Sequence, residues 1–116
     1  MKRLNRESRA KIRQIIQIFS KIPNSIISQG EMPDNDRMLA YFDLKHKEQI
    51  NGGFINRFMF APNEEGDIVY IYIWGKGIEQ HQVSLLNQMT FCGIPLYKVT
   101  LEEGIIDPYL IAYVET

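Results

Sequence analysis

Over residues 3–21 the apolar side chains recur at helical spacing. At about 100° per residue, Leu4, Ile12, Ile15, Ile16, Ile18, Phe19 and Ile22 share one arc of roughly 160°, which predicts an amphipathic helix. Lys2, Arg3, Arg6, Arg9, Arg13 and Lys21 share the opposite arc with Gln14 and Gln17. Lys11 falls inside the apolar arc, where its stem can lie along the core while the ammonium reaches water. Pro23 stops the pattern, because proline cannot donate to the helical ladder and drives its predecessor out of the α region.

Beyond the helix the period changes. Residues 28–37 are rich in Gly, Pro, Asp and Asn and read as a loop. Strands are expected over 38–45, 54–61 and 67–74, joined through Gly52-Gly53 and through Pro62-Asn63-Glu64-Glu65-Gly66. The second connection has the length and residues of a hairpin turn, so these strands form an antiparallel meander. Ile78, Leu85, Leu86 and Met89 mark a second helix over 78–90, with Gly93 as its left-handed stop. Two further strands are expected over 94–101 and 109–114. The order α-β-β-β-α-β-β describes one α+β domain spanning 1–116, with helices on one face of an antiparallel sheet of five strands.

Composition narrows the class. The 116 residues are 45% hydrophobic and 23% charged, the balance of a soluble globular domain large enough to bury a core without disulfides. Cys92 stands alone, which excludes an intramolecular disulfide and a multi-cysteine zinc site. No apolar run approaches the roughly 18 residues of a membrane span, and the charged N-terminus lacks a signal-peptide pattern, so a cytoplasmic location and no membrane partner are expected.

The net charge of −1 hides an asymmetry. Residues 2–21 hold seven basic groups and one acid, a net +6, whereas the rest of the chain carries −7. Cations in a first helical turn oppose the macrodipole, so Lys2, Arg3 and Arg6 suggest a function: binding phosphates or a carboxylate-rich protein surface. The bland alternatives are a solvated outer face, or ion pairs to the acidic body.

A second candidate is the strand over 67–74. Alternation sends Ile68, Tyr70, Tyr72 and Trp74 to one face and Val69, Ile71 and Ile73 to the other, so a central strand covered on both sides is expected. Tyr70, Tyr72 and Trp74 are also an aromatic patch that could stack bases or meet a protein or dimer partner.

Catalytic chemistry finds little support. His46 and His81 lack the HxxxH, HExxH or CxxC spacings of metal sites, and Cys92 follows a helix end, where a thiolate is disfavoured. The carboxylate pairs lie in turns, and Gly75-Lys76-Gly77 lacks the rest of a phosphate-binding loop. No metal and no cofactor are therefore expected. The residues point to a non-enzymatic binding or regulatory protein that docks on a macromolecular partner through the basic helix. A protein is favoured over nucleic acid, because the acidic remainder repels phosphates. A homodimer, with each acidic body receiving the other's basic helix, fits the same charges. The competing classes are a nucleic-acid binder using that helix, and a small enzyme or ligand binder with a pocket between sheet and helix.

Overall fold

A computed structural model of the chain describes residues 1–21, 26–50, 53–76 and 93–115, with the backbone alone described for 26–27, 45–50 and 53–55. Among the described residues one helix, α1 (Arg6–Phe19), precedes six strands: β1 (Ile26–Asp34), β2 (Arg37–Ile50), β3 (Gly53–Pro62), β4 (Ile68–Lys76), β5 (Leu96–Glu102) and β6 (Tyr109–Val114). They form one sheet of order β1-β2-β3-β4-β6-β5, with every neighbouring pair antiparallel. β2, β3 and β4 are the expected three-strand meander, and β1, which was not expected, adds a fourth strand to it. β5 comes before β6 in the chain but lies beyond it, at the sheet edge. A radius of gyration of 13.5 Å is that of one compact domain of this length.

The α+β class agrees with the sequence reading, but the strand count does not. Residues 28–37, read as a loop, form most of the β1–β2 hairpin, in which Asp34 pairs with Arg37 and Pro33 with Met38. Asn35, at φ 55°, supplies the left-handed residue of a two-residue turn. Pro33 is tolerated because β1 is an edge strand. The helix expected over 78–90 lies outside the described residues, as do Pro23, His81 and Cys92.

α1 begins where Asn5 caps it: the Asn5 side chain accepts from the Ser8 amide at 2.9 Å. The cap is also a tertiary joint. Asn5 N–H and Ser8 Oγ both donate to the Gly66 carbonyl, each at 2.9 Å, and Asn5 Nδ2 donates to Asp67 at 2.8 Å. The β3–β4 turn thus holds the start of the helix, and Ser8 is buried with its hydroxyl satisfied.

The helix-facing side of the sheet is built in cross-strand rows. Phe42, Phe58, Ile73, Leu110 and Leu101 make one row across five strands, and Ala40, Phe60, Ile71, Ala112 and Val99 make the next. Leu4, Ile12 and Ile15 of the N-terminal segment close over these rows. Phe19 sits with its ring centroid 5.7 Å from that of Phe42 and 5.5 Å from that of Phe58. Ile15, Ile71 and Ile73 are fully buried, as their arcs predict, whereas Phe19 and Leu96 are half-buried and Ile18 is exposed. Phe19 and Ile18 are the last two residues of the helix.

Strict alternation fails at one point in β4. The β3–β4 register shifts between Ala61↔Tyr70 and Pro62↔Ile68, so Ile68 drops into the helix-side core instead of joining the tyrosines.

Candidate functional site

Two surfaces collect the residues singled out from the sequence. The first is the outer side of α1. Arg6, Arg9 and Arg13 are exposed there and Lys21 just past the helix end, and none of the four forms an ion pair with a described residue. From Arg6 to Arg13 the strip spans about 10 Å at 1.5 Å per residue. Arg9 Nε donates to the Leu4 carbonyl at 3.0 Å, which fixes its stem along the helix start.

Lys2 and Arg3 are placed differently. They precede the helix, and Lys2 pairs in parallel with Arg37 beside the β1–β2 turn. Lys2 Nζ lies 2.9 Å from Glu64 and 3.4 Å from Asp36, and Arg3 reaches Glu31 at 3.6 Å. Hydrogen bonds to Glu64 and Asp36 hold the Lys2 ammonium above its ordinary value of 10.5. These two cations are thus engaged by their own acidic body, and the basic arc narrows to Arg6, Arg9 and Arg13 on α1 and Lys21 just past its end.

The second surface is the face of the sheet opposite α1. The register sets Asp43, Arg57, Trp74, Tyr109 and Glu102 in one row and Tyr41, Met59, Tyr72, Ile111 and Thr100 in the next. A third row holds Ala61, Tyr70, Tyr113 and Lys98. Leu39, Met59 and Ala61 are buried at its centre, whereas Tyr70, Tyr72 and Trp74 remain half-exposed. The expectation that β4 is covered on both sides therefore holds for its isoleucine side and only in part for its aromatic side. Trp74 stacks on Tyr109 at 4.2 Å, and its indole N–H donates to Met59 Sδ at 3.2 Å.

Two arginines lie over rings of this face. Arg57 is within cation–π range of Tyr41, and Arg37 of Tyr70 and Tyr72. Both are also paired with acids. Arg57 donates to both oxygens of Asp43, at 2.6 and 2.9 Å, and that bond raises its guanidinium above the ordinary range despite partial burial. For Arg37, partial burial opposes the charge, but hydrogen bonds to Asp34 (3.1 Å) and Tyr72 (2.8 Å) outweigh it and the pKa is raised. Each guanidinium is thus paired with an adjacent carboxylate.

Cavities follow the same division. A broad recess of about 530 Å³ beside Trp74 is lined by Asp43, Asn56, Arg57 and Met59. Between α1 and the sheet lies a smaller cavity of about 290 Å³, edged by the charged Glu7, Lys11, Asp67 and Glu115. The second sits where a ligand pocket was expected, but its walls are not the mainly apolar lining of a typical small-molecule site. Among the described residues no three His, Cys, Asp or Glu side chains converge to hold a metal, and no helix is long and apolar enough to cross a membrane.

Sequence reasoning missed Tyr109 and Tyr113 as members of the aromatic face, and the Asp43–Arg57 and Asp34–Arg37 pairs across it. It also passed over Ile105 and Ile106, which stand exposed in the β5–β6 turn. For the last, a signal existed: two adjacent isoleucines inside a turn sequence, Glu103-Gly104-Ile105-Ile106-Asp107-Pro108. Compared with protein-family models, curated proteins and solved structures, the chain matches none.

Proposed function

We propose that this chain is a non-enzymatic binding protein, regulatory or accessory in role, that docks on a protein partner through the basic outer face of α1. One observation carries the reading. Arg6, Arg9, Arg13 and Lys21 stand exposed without an ion pair to a described residue, while Lys2 and Arg3 at the same end of the chain have found acids on their own body. Had the basic arc served only to bind its own acidic body, the central arginines would be the first to be engaged. The inner side of the same helix is filled by the core, so its outer side is available without any rearrangement.

An arginine strip can hold carboxylates or phosphates in bidentate pairs. Carboxylates are preferred here because the chain outside residues 2–21 carries −7, a field that repels a polyanion as large as nucleic acid. Replacing Arg6, Arg9 and Arg13 by Gln keeps helix propensity nearly constant. Thermal stability should change little, since exposed charges contribute about 0–1 kcal/mol each. Protein capture from a host lysate should be lost, and wild-type capture should weaken between low and physiological salt. Capture that disappears on nuclease treatment would assign the strip to nucleic acid instead. Unchanged capture by the triple variant would reduce the strip to a solvated face.

A further inference from the structure

We propose that the chain self-associates, with Ile105 and Ile106 of one copy seated in the Trp74 recess of a second copy and the contact repeated about a two-fold axis. The two isoleucines are 105% and 91% exposed, far beyond the other large apolar side chains of the described surface. Single exposed apolar residues are ordinary, but two adjacent β-branched ones at the apex of a turn form a protruding apolar knob.

The turn holds that knob in place. A Cβ on Gly104 would overlap the Asp107 carbonyl, so the close approach of these two backbones depends on the glycine. Pro108 fixes the backbone on the other side of the apex. A knob already ordered in the free protein loses little conformational freedom on docking.

The receiving surface lies beside it. The recess of about 530 Å³ lined by Leu44, Asn56, Met59, Trp74 and the paired Asp43 and Arg57 has room for two isoleucine side chains. It adjoins a second hollow of about 380 Å³, which Trp74 and Lys76 share with Ile105, Ile106 and Asp107 of the turn itself. Knob and hollow are therefore neighbours on one copy. A two-fold axis close to Trp74 lays each turn over the other copy's recess, as an isologous interface requires.

Charge selects the occupant. The turn is acidic, with Glu103 and Asp107 beside the isoleucines, whereas Lys76, which has no ion pair with a described residue, lines the hollow that adjoins the recess. Across the axis Asp107 of each copy meets Lys76 of the other. The rest of the face is self-compatible, because its arginines are already neutralised by Asp34 and Asp43. Trp, Tyr and Arg around an aliphatic knob are also the residues that dominate interface centres. The acidic flanks weigh against an anionic lipid surface as the occupant.

The test is sedimentation velocity on the purified full chain across roughly 1–500 µM, a range that brackets ordinary weak-to-moderate homodimers. Wild type should sediment at twice the 13.6 kDa chain mass at the upper concentrations. Ile105→Ser with Ile106→Ser should weaken the dimer by roughly a hundredfold or more, with unchanged circular dichroism, since neither side chain packs in the monomer. Lys76→Asp or Asp107→Lys alone should weaken it, and the two together in one chain should restore it. A wild type that stays monomeric throughout, or a dimer indifferent to the isoleucine substitutions, overturns the proposal.

Discussion

Phe42→Ala is expected to cost about 3–5 kcal/mol, the loss typical of a buried aromatic that leaves a cavity behind. Phe42 is 0% exposed, and its ring lies 5.1 Å from that of Phe58 and 5.9 Å from that of Phe60. It sits on β2 between edge strand β1 and β3, with the Phe19 ring of α1 5.7 Å away. For a domain with roughly 5–15 kcal/mol in hand this is a large share. Urea unfolding should show the midpoint falling with the slope unchanged. Phe19→Ala, half-exposed at the rim of the same cluster, should cost clearly less. Equal losses would mean that the aromatic cluster is not organised around Phe42.

Gly66→Ala should be the second large loss, on the order of 2–4 kcal/mol, from backbone strain plus a displaced N-terminal segment. Gly66 holds φ at +86°, and a Cβ there would come 2.7 Å from the Arg3 carbonyl oxygen and 2.8 Å from the Asn5 nitrogen. Both are backbone atoms, and Asn5 is the helix cap, so the added methyl pushes directly on the joint that seats α1. Gly93 provides the control. Its φ is +88°, but a Cβ would meet nothing within 4 Å among the described residues. Gly93→Ala should therefore lose only the conformational part, about 1 kcal/mol. If the two variants unfold at the same midpoint shift, the close approach at Gly66 has no energetic consequence.

The parts of the fold visible in the sequence were those with one strong period. The 3.6-residue spacing of Ile12, Ile15, Ile16 and Phe19 gave α1, and the alternation of Tyr70 to Trp74 gave the core of β4 and the split between its two faces. Residues 28–34 were not visible as a strand because their Gly30, Pro33 and neighbouring Asn35 are turn formers; an edge position and a tight hairpin reconcile them with pairing. Ile68 took the wrong face for a related reason: a bulge resets the period, and nothing in the local residues marks it.

The candidate surfaces divide along the same line. Charge periodicity located the arginines of α1, since helix geometry alone sets which side they occupy. That Lys2 and Arg3 would pair with Glu31, Asp36 and Glu64 depends on how the N-terminal segment meets two hairpin turns, a tertiary fact. The assembly of Tyr109 and Tyr113 beside Trp74 and Tyr70 likewise depends on β6 inserting between β4 and β5. Chain order would have placed β5 there.

Site-directed photo-crosslinking in the native host tests the docking face most directly. Gln17 is exposed on the basic side of α1, between Arg13 and Lys21, and a photoreactive side chain placed there leaves every cation intact. Tyr97, exposed on β5 at the far edge of the sheet, serves as the comparison position. A specific protein adduct from position 17 that survives nuclease treatment, with none from position 97, is the predicted result. Adducts from position 97 with none from position 17 would contradict the account and move the binding face from the helix to the sheet.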